Sequence, residues 1–239
     1  MDPVVKKKIL DKVKKWWKLK VIEAHKKKSK ELSSSDKFSI NPFLIIYLAN
    51  FLGDKNDSKN IARSLIYPRA LGTSPNTIFG TEFQKMIINV FDEISGSAVK
   101  GIDIEFTDKN DGRRKYCQIK AGPNVINYDD VSTIKDHFKK ALAIAKTNSM
   151  AMRHEDLILC IIYGEPSQKS NFIRKVEEDY TVLIGKEFWE RVVGDGDFYK
   201  DLFVALKEVS KKCNCKKIVN DTVNELSKDI EAKYPDLVS

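Results

Sequence analysis

Residues 101–106 read Gly-Ile-Asp-Ile-Glu-Phe and residues 115–120 read Lys-Tyr-Cys-Gln-Ile-Lys, with a polar turn over residues 108–113 between them. Polar and apolar residues alternate in both stretches, as expected for strands with one face in water. A short polar connection between two such strands favours a hairpin. The sequence therefore predicts a strand pair near the middle of the chain, around which the rest of the fold is arranged.

Four polar side chains fall on one side of this predicted hairpin. Side chains two residues apart on a strand point to the same face, so Asp103 shares a face with Glu105, and Gln118 shares a face with Lys120. Two carboxylates beside a lysine could hold a divalent cation and activate water for attack on a phosphate. The apolar side chains are expected to point the other way, into a core: Ile102, Ile104, Cys117 and Ile119.

Strands and amphipathic helices are predicted on both sides of the hairpin. Residues 156–164 are almost continuously apolar, which is typical of a strand covered on both faces, and residues 180–185 form a second strand. Residues 67–77 are rich in turn formers. We expect an α/β (α+β) fold with a mixed central sheet flanked by helices and with helical additions at both termini. The predicted helices cover residues 41–52 (a buried helix), 60–66, 80–91, 127–146, 186–211 with a break at 194–196, and 216–234.

The positive charge of the chain is concentrated in its first 30 residues. The whole chain carries +8, whereas residues 1–30 hold twelve lysines against three acidic residues, a net charge of +9. This segment is predicted to be helical, and either it contacts a polyanion or its lysines form a solvated face. Its apolar residues recur with helical spacing: Leu10, Val13, Trp17, Val21 and Ala24. We expect residues 1–35 to form a basic N-terminal helix and residues 36–239 the main domain.

Composition indicates an intracellular protein. No run of about 18 apolar residues is present, and the N-terminus lacks the pattern of a signal peptide, so we expect no membrane association and a cytoplasmic location. The cysteines lack the spacing of a zinc site and are expected to be reduced thiols; they are Cys117, Cys160, Cys213 and Cys215.

An aspartate on one strand followed by an (acid or amide)-x-Lys on the next resembles the PD-(D/E)xK nucleases. An ordered set of further segments resembles the type II restriction endonucleases of that superfamily, over roughly residues 40–205. The resemblance implies a restriction-endonuclease-like fold for residues 36–239. The segments are 69–77 (Arg-Ala-Leu-Gly-Thr-Ser-Pro-Asn-Thr), 79–82 (Phe-Gly-Thr-Glu), 101–103 (Gly-Ile-Asp), 118–127 (Gln-Ile-Lys-Ala-Gly-Pro-Asn-Val-Ile-Asn), 185–189 (Gly-Lys-Glu-Phe-Trp) and 194–195 (Gly-Asp).

The resemblance implies a role for each residue of the motif. Asp103 would be the central Mg²⁺ ligand, and the carbonyl of Ile119 would complete the metal shell. Lys120 would position the attacking water or stabilise its hydroxide. The cation would bind a non-bridging phosphate oxygen and neutralise charge that develops in the transition state.

The sequence departs from the common pattern at Gln118, where many members have Glu or Asp. An amide oxygen can bind a metal but brings no negative charge, so another acid is expected to help. Glu82, on the predicted helix before the hairpin, matches a helix carboxylate of several branches of the superfamily, and Glu105 is the second candidate. We favour Glu82.

Three polar or basic groups are candidates for DNA contact, each with a structural alternative. The first follows the catalytic strand, where Asn127 could equally cap the next helix. In the second, Arg69 could read guanine, clamp phosphate or brace its loop. The third is the basic N-terminal helix, which would contact DNA or serve as a dimer arm. The candidates are Asn124 and Asn127; Arg69, Thr73, Ser74 and Asn76; and Lys14, Lys15 and Lys18.

The resemblance implies a Mg²⁺-dependent, sequence-specific endonuclease that cleaves double-stranded DNA, acts as a homodimer and works beside a cognate DNA methyltransferase in a bacterium or archaeon. A two-fold protein reads a palindrome naturally. Two alternatives stay open at this point. One is a repair or transposition nuclease of the same fold, in which glutamine also occurs at this position. The other is a catalytically inactive DNA-binding protein that has lost its acid.

Overall fold

The computed structural model describes residues 1–213 and 215–238. Its centre is one five-stranded mixed sheet with the strands in the order β1-β2-β3-β4-β5. The first three strands are antiparallel neighbours, and β3, β4 and β5 are parallel. This confirms the predicted mixed sheet, including the central hairpin and the two later strands. The strands are β1 (Ile94–Gly96), β2 (Ile104–Thr107), β3 (Arg114–Lys120), β4 (Leu157–Ile161) and β5 (Thr181–Ile184).

Ten α-helices are found in the described part of the chain, and two of them make the crossovers between parallel strands. Helix α6 connects β3 to β4, and α7 connects β4 to β5, as parallel pairing requires. The predicted helices at both termini are confirmed. The helices are α1 (Pro3–Trp16), α2 (Glu23–Lys30), α3 (Pro42–Gly53), α4 (Ser58–Pro68), α5 (Ser74–Val90), α6 (Tyr128–Thr147), α7 (Asn171–Glu177), α8 (Lys186–Val193), α9 (Phe198–Lys211) and α10 (Cys215–Lys233).

The sheet is covered on both faces by apolar side chains. Every residue of β4 is buried, which confirms the strand predicted from its continuous apolar run. On one face, Ile134 and Phe138 of α6 belong to the same buried cluster as Leu157 and Leu159. Elsewhere in the core, an aromatic group packs ring against ring at centroid distances of 5.0–6.2 Å: Phe83, Phe91, Phe188, Trp189 and Phe198. These rings contribute a large share of the apolar burial that holds the fold together.

Contacts divide the chain into two compact units. The first, residues 1–14 and 83–207, contains the sheet and α6 to α8. The second, residues 15–82 and 208–239, is helical over its described residues and has its own core between α3, α4 and α10. The separation of a basic N-terminal helix (residues 1–35) from a main domain (residues 36–239) stays a prediction.

The N-terminal segment is helical, as predicted, with a π-helical stretch over Trp17–Ile22 between α1 and α2. Val13 of the predicted stripe is fully buried and the other four members are half-buried. Ile9 is a further buried residue, at the position four residues before Val13. The apolar side of this helix is therefore covered, and its lysines are mostly at the surface.

Three local expectations were wrong. Helix α3 is not buried: its aromatic side chains face outward, and only two of its residues, Ile45 and Ala49, are buried. Residues 67–77 are helical, since a π-helical stretch (Arg69–Thr73) joins α4 to α5 and Pro75 occupies the first turn of α5, where proline is tolerated. Ile102 precedes β2 and belongs to the cluster on the α6 side of the sheet, so it does not follow the strand alternation.

The cysteines divide into two pairs. Cys117 and Cys160 are free, buried thiols, as expected. Burial is the main cause that raises the pKa of Cys117 well above its ordinary value, with the Cys160 thiol adding to it. Cys213 and Cys215 form a disulfide, which corrects the expectation that all four are reduced.

Candidate active site

Asp103 lies directly before β2, at the end of the paired part of the hairpin. Ile104 pairs with Cys117 and Glu105 pairs with Tyr116. The backbone N–H of Asp103 donates to the carbonyl of Cys117 at 2.8 Å, so residues 103 and 104 both lie against Cys117 and the regular ladder ends there. That the Asp103 carboxylate and the Gln118 amide converge on one patch stays a prediction.

Asp103 is held by one oxygen and leaves the other available. Its Oδ2 accepts a hydrogen bond from the backbone N–H of Ile119 at 2.7 Å. Its Oδ1 has no donor among the residues that the structure describes. The side chain is half-buried. A fixed carboxylate with one uncommitted oxygen is suited to binding a cation.

The Gln118 side chain is almost completely buried, with 6% of its surface exposed. Its Nε2 lies 2.6 Å from the carbonyl oxygen of Gly101 and 2.8 Å from Nδ1 of His137. Its Oε1 accepts no hydrogen bond within residues 1–213 and 215–238. The amide is thus tied by its nitrogen alone.

The end of β3 carries Lys120, whose Nζ donates to Oδ1 of Asp130 at 2.8 Å. This hydrogen bond, followed by one from the backbone N–H of Asn127, lowers the pKa of Asp130 below its ordinary value. Asp130 is fixed because it closes the capping box at the start of α6, where Asn127 accepts from the Asp130 N–H. The capping role of Asn127 is therefore confirmed.

Sequence reasoning missed two residues of this site, both on α6. Asp130 and His137 are seven residues apart, close to two helical turns, and so project from the same side of the helix. The capping pattern Asn127-x-x-Asp130 was a readable signal for Asp130. Nothing local distinguished His137, because its partner Gln118 lies 19 residues away in the sequence.

The two candidate acids differ in their surroundings. Both oxygens of Glu105 are engaged: Oε1 accepts from Ser97 Oγ at 2.6 Å and Oε2 from Arg114 Nε at 2.8 Å. Glu105 would therefore have to release Arg114 or Ser97 to bind a metal. Glu82 is on α5, as predicted, within the second unit. Its part in the site stays a prediction.

The predicted DNA-contact residues have varied environments. Arg69 is exposed, stacks at 4.5 Å on the ring of Phe38, and donates through Nη1 to the carbonyl of Lys37 at 2.7 Å, which is the bracing alternative. Thr73 ends the π-helical stretch, and Ser74 and Asn76 open α5. Asn124 is exposed beside the buried Gly122 and Pro123. Lys15 and Lys18 are exposed, and Lys14 is half-buried.

The available donors fit a hard cation. Asp103, Gln118 and the Ile119 carbonyl offer only oxygen ligands, which Mg²⁺ prefers, and Mg²⁺ retains several waters of its own. Within the described residues, no group of three or more His, Cys, Asp or Glu side chains could hold a metal. The site thus provides few charged ligands, so its electrostatic attraction for a cation is weaker than that of a two-acid site.

No helix of the described chain is long and apolar enough to cross a membrane. A search of curated proteins finds no match. The family model described as type II restriction endonuclease EcoO109I matches residues 11–214, which is most of the chain and includes the whole sheet and the site around Asp103. The chain belongs to the EcoO109I family of type II restriction endonucleases.

Proposed function

We propose that this family member cleaves double-stranded DNA at a specific sequence, with Mg²⁺ held by Asp103, Gln118 and the carbonyl of Ile119. The observation that supports the proposal is the end of the hairpin, where the Asp103 carboxylate accepts a hydrogen bond from the N–H of Ile119, the residue between Gln118 and Lys120. Bound there, Mg²⁺ would supply Lewis-acid stabilisation of the charge on the phosphate and lower the pKa of a bound water.

The chain's own groups complete the reaction. Lys120 would orient the water whose oxygen attacks phosphorus, while the bond from phosphorus to the leaving sugar oxygen breaks and that oxygen takes up a proton. Asp130 would hold the ammonium of Lys120 beside the strand end, since the two groups already lie at hydrogen-bond distance. Glu82 is proposed as the additional acid, because it matches the helix carboxylate found in several branches of the nuclease superfamily.

Cleavage of a phage DNA of known sequence tests the function. The purified protein with Mg²⁺ should give discrete fragments that have the same end sequence at every cleavage site. A chelator of divalent cations should abolish cleavage. Asp103→Asn is the matched control, since the amide keeps the oxygen that accepts from Ile119. The absence of cleavage with Mg²⁺ and Mn²⁺ on several DNAs would contradict the proposal.

We further propose that two copies of the chain associate through the outer face of α3. Phe43, Tyr47 and Phe51 are 87%, 61% and 76% exposed, and they recur at four-residue steps along one side of the helix. Aromatic side chains bury about 150–250 Å² each, so these three rings would supply roughly half of the about 800 Å² per partner of a standard interface. The adjacent Leu44 and Leu52 extend the same patch.

A second copy suits this face because a self-complementary apolar patch is what a two-fold interface needs, and a two-fold enzyme matches a palindromic site. Sedimentation should give a dimer for the wild type and a monomer for Phe43→Glu/Phe51→Glu. Val204→Glu, at an exposed apolar residue of α9, is the control and should remain dimeric. A dimer that survives both α3 substitutions would contradict this surface.

Lys14, Lys15 and Lys18 are proposed to contact DNA phosphates from the N-terminal helix, supported by the concentration of positive charge there. Each phosphate contact that is lost should reduce the slope of log K against log salt by about 0.9. Replacing the three lysines by alanine should therefore flatten the slope, whereas Lys216→Ala/Lys217→Ala, at exposed lysines of α10, should not. The remaining proposed DNA contacts are Arg69, Thr73, Ser74, Asn76, Asn124 and Asn127.

We also propose that the protein acts in the cytoplasm beside a cognate DNA methyltransferase.

A further inference from the structure

The amide of Gln118 has one permitted orientation. The carbonyl oxygen of Gly101 can only accept a hydrogen bond, so the end of the amide that lies 2.6 Å from it must be the NH₂ group. The same nitrogen lies 2.8 Å from Nδ1 of His137. Nδ1 therefore accepts, and the ring hydrogen is on Nε2. Both hydrogens of the amide are used, and Oε1 is the end left for another partner.

Gly101 makes this arrangement possible through its missing side chain. Its φ is +86°, a region that favours glycine. A Cβ at residue 101 would lie 2.6 Å from Cγ of His137, closer than van der Waals contact allows. The ring of His137 can approach the hairpin because residue 101 has no Cβ. His137, Gly101 and Gln118 thus form one packed unit.

The same contacts disfavour a carboxylate at position 118. A glutamate there would place an oxygen at hydrogen-bond distance from the Gly101 carbonyl, which can only accept, and from Nδ1 of His137, which could donate only after a change of tautomer. The hydrogen bond to the Gly101 carbonyl would become a repulsive contact between two oxygens in a nearly buried position. The surroundings of residue 118 therefore select an amide over the acid that many related nucleases carry.

We infer that His137 is a positioning residue that holds Gln118 so that Oε1 faces the cation site. This inference rests on the proposed metal site. In this role His137 acts through Gln118 and is not itself a ligand. Partners of metal ligands of this kind change metal affinity by about 10- to 100-fold when they are removed. His137 should therefore act on metal affinity far more than on the rate of a metal-saturated enzyme.

The test compares His137→Leu, which removes the acceptor, with His137→Asn, whose side-chain oxygen can accept in place of Nδ1. Binding of Mn²⁺ to the full-length protein without DNA is measured by titration calorimetry. His137→Leu should weaken binding by about tenfold or more, and His137→Asn by much less. His154→Leu, at an exposed histidine that stacks on Tyr180, should bind as the wild type does. Unchanged Mn²⁺ affinity in His137→Leu would overturn the inference.

Two further measurements do not depend on His137→Leu remaining folded. Nitrogen-15 shifts of His137 in the wild type should show the tautomer with hydrogen on Nε2, and the opposite tautomer would contradict the assignment. Gln118→Glu should bind Mn²⁺ no more tightly than the wild type despite its added charge. Tighter binding by Gln118→Glu would refute the selection of an amide.

The outcomes separate this inference from the proposed function. A wild type that binds Mn²⁺ with the expected dependence on His137 but cleaves no DNA would refute the proposed cleavage and leave the positioning role standing. If the wild type cleaves DNA and substitution of His137 leaves Mn²⁺ affinity unchanged, the positioning role would be refuted and the proposed cleavage would stand. A wild type that binds no Mn²⁺ would refute the positioning role together with the metal site.

Discussion

The two ends of the β2–β3 hairpin both carry charged side chains, but they are bonded in opposite ways. Near the turn, Asp156 is 1% exposed and each of its oxygens has two donors. Arg113 donates twice, and Lys115 and the backbone of Arg153 donate once each. Asp108, fully buried, is satisfied by Asn110 and Arg191. Every carboxylate oxygen of Asp156 and Asp108 thus accepts at least one hydrogen bond.

At the other end, Asp103 and Gln118 are each held by one atom and leave an oxygen without a donor in the described chain. A buried charge that is fully bonded serves the fold, because releasing any partner is costly. A polar oxygen held in place but unused is ready for a ligand. Unused bonding capacity, more than burial or charge, distinguishes the site from the structural cluster.

The largest expected effect is on activity at the open end. Asp103→Asn should lower kcat for DNA cleavage by about 10³-fold or more, since a metal ligand worth several kcal/mol loses its charge. Its thermal midpoint should stay close to that of the wild type, because the hydrogen bond from Ile119 is retained. Cleavage kinetics and thermal unfolding are measured on the same protein. A variant that keeps most of its activity would show that Asp103 is not the central ligand.

Next in size is a loss of stability at the closed end. Asp156→Ala should reduce the free energy of unfolding by about 3–5 kcal/mol, because it removes the main partner of Arg113 and leaves the nearly buried Lys115 with Asp111 alone. Urea unfolding measures it, with the exposed Asp197→Ala as control. A loss of unfolding free energy below about 1 kcal/mol would mean that the hydrogen bonds of Asp156 do not stabilise the fold as described.

A smaller effect is expected at Asp130, which both holds Lys120 and caps helix α6. Asp130→Ala should reduce kcat by about tenfold through misplacement of Lys120, and reduce stability by about 1 kcal/mol through loss of the capping box. Asn127→Ala removes the same cap without touching Lys120, and because Asn127 is also a proposed DNA contact the two variants are compared by kcat at saturating DNA. Equal losses of activity in both variants would assign the effect to the helix start.

The smallest expected effect is on the way stability depends on pH. Burial raises the pKa of Asp156, but the hydrogen bonds from Arg113, Arg153 and Lys115 outweigh it and keep the pKa below its ordinary value of 3.8. A carboxylate whose folded pKa is lowered stabilises the protein above its unfolded pKa, and this contribution is lost as pH falls through the folded pKa. The free energy of unfolding, measured between pH 6 and 3, should fall less steeply in Asp156→Asn than in the wild type.

Patterns within single elements were readable in the sequence. The alternation of 104–106 and 115–120 indicated which side chains share a face, although Ile102 departs from it, and the helical spacing located α6 and α10. The predictions failed where a neighbour decides the outcome. Helix α3 is apolar on all sides, and its sequence could not show which side the core would leave uncovered.

The sequence alone determined the hairpin, its acid, amide and lysine, and the family to which they belong, because periodicity and motif order are properties of neighbouring residues. Tertiary structure alone decided which oxygens stay unused. The orientation of the Gln118 amide depends on a carbonyl from Gly101 and a ring from α6, brought together by packing. Hydrogen bonds act over about 3 Å in space, and the sequence records no such distance.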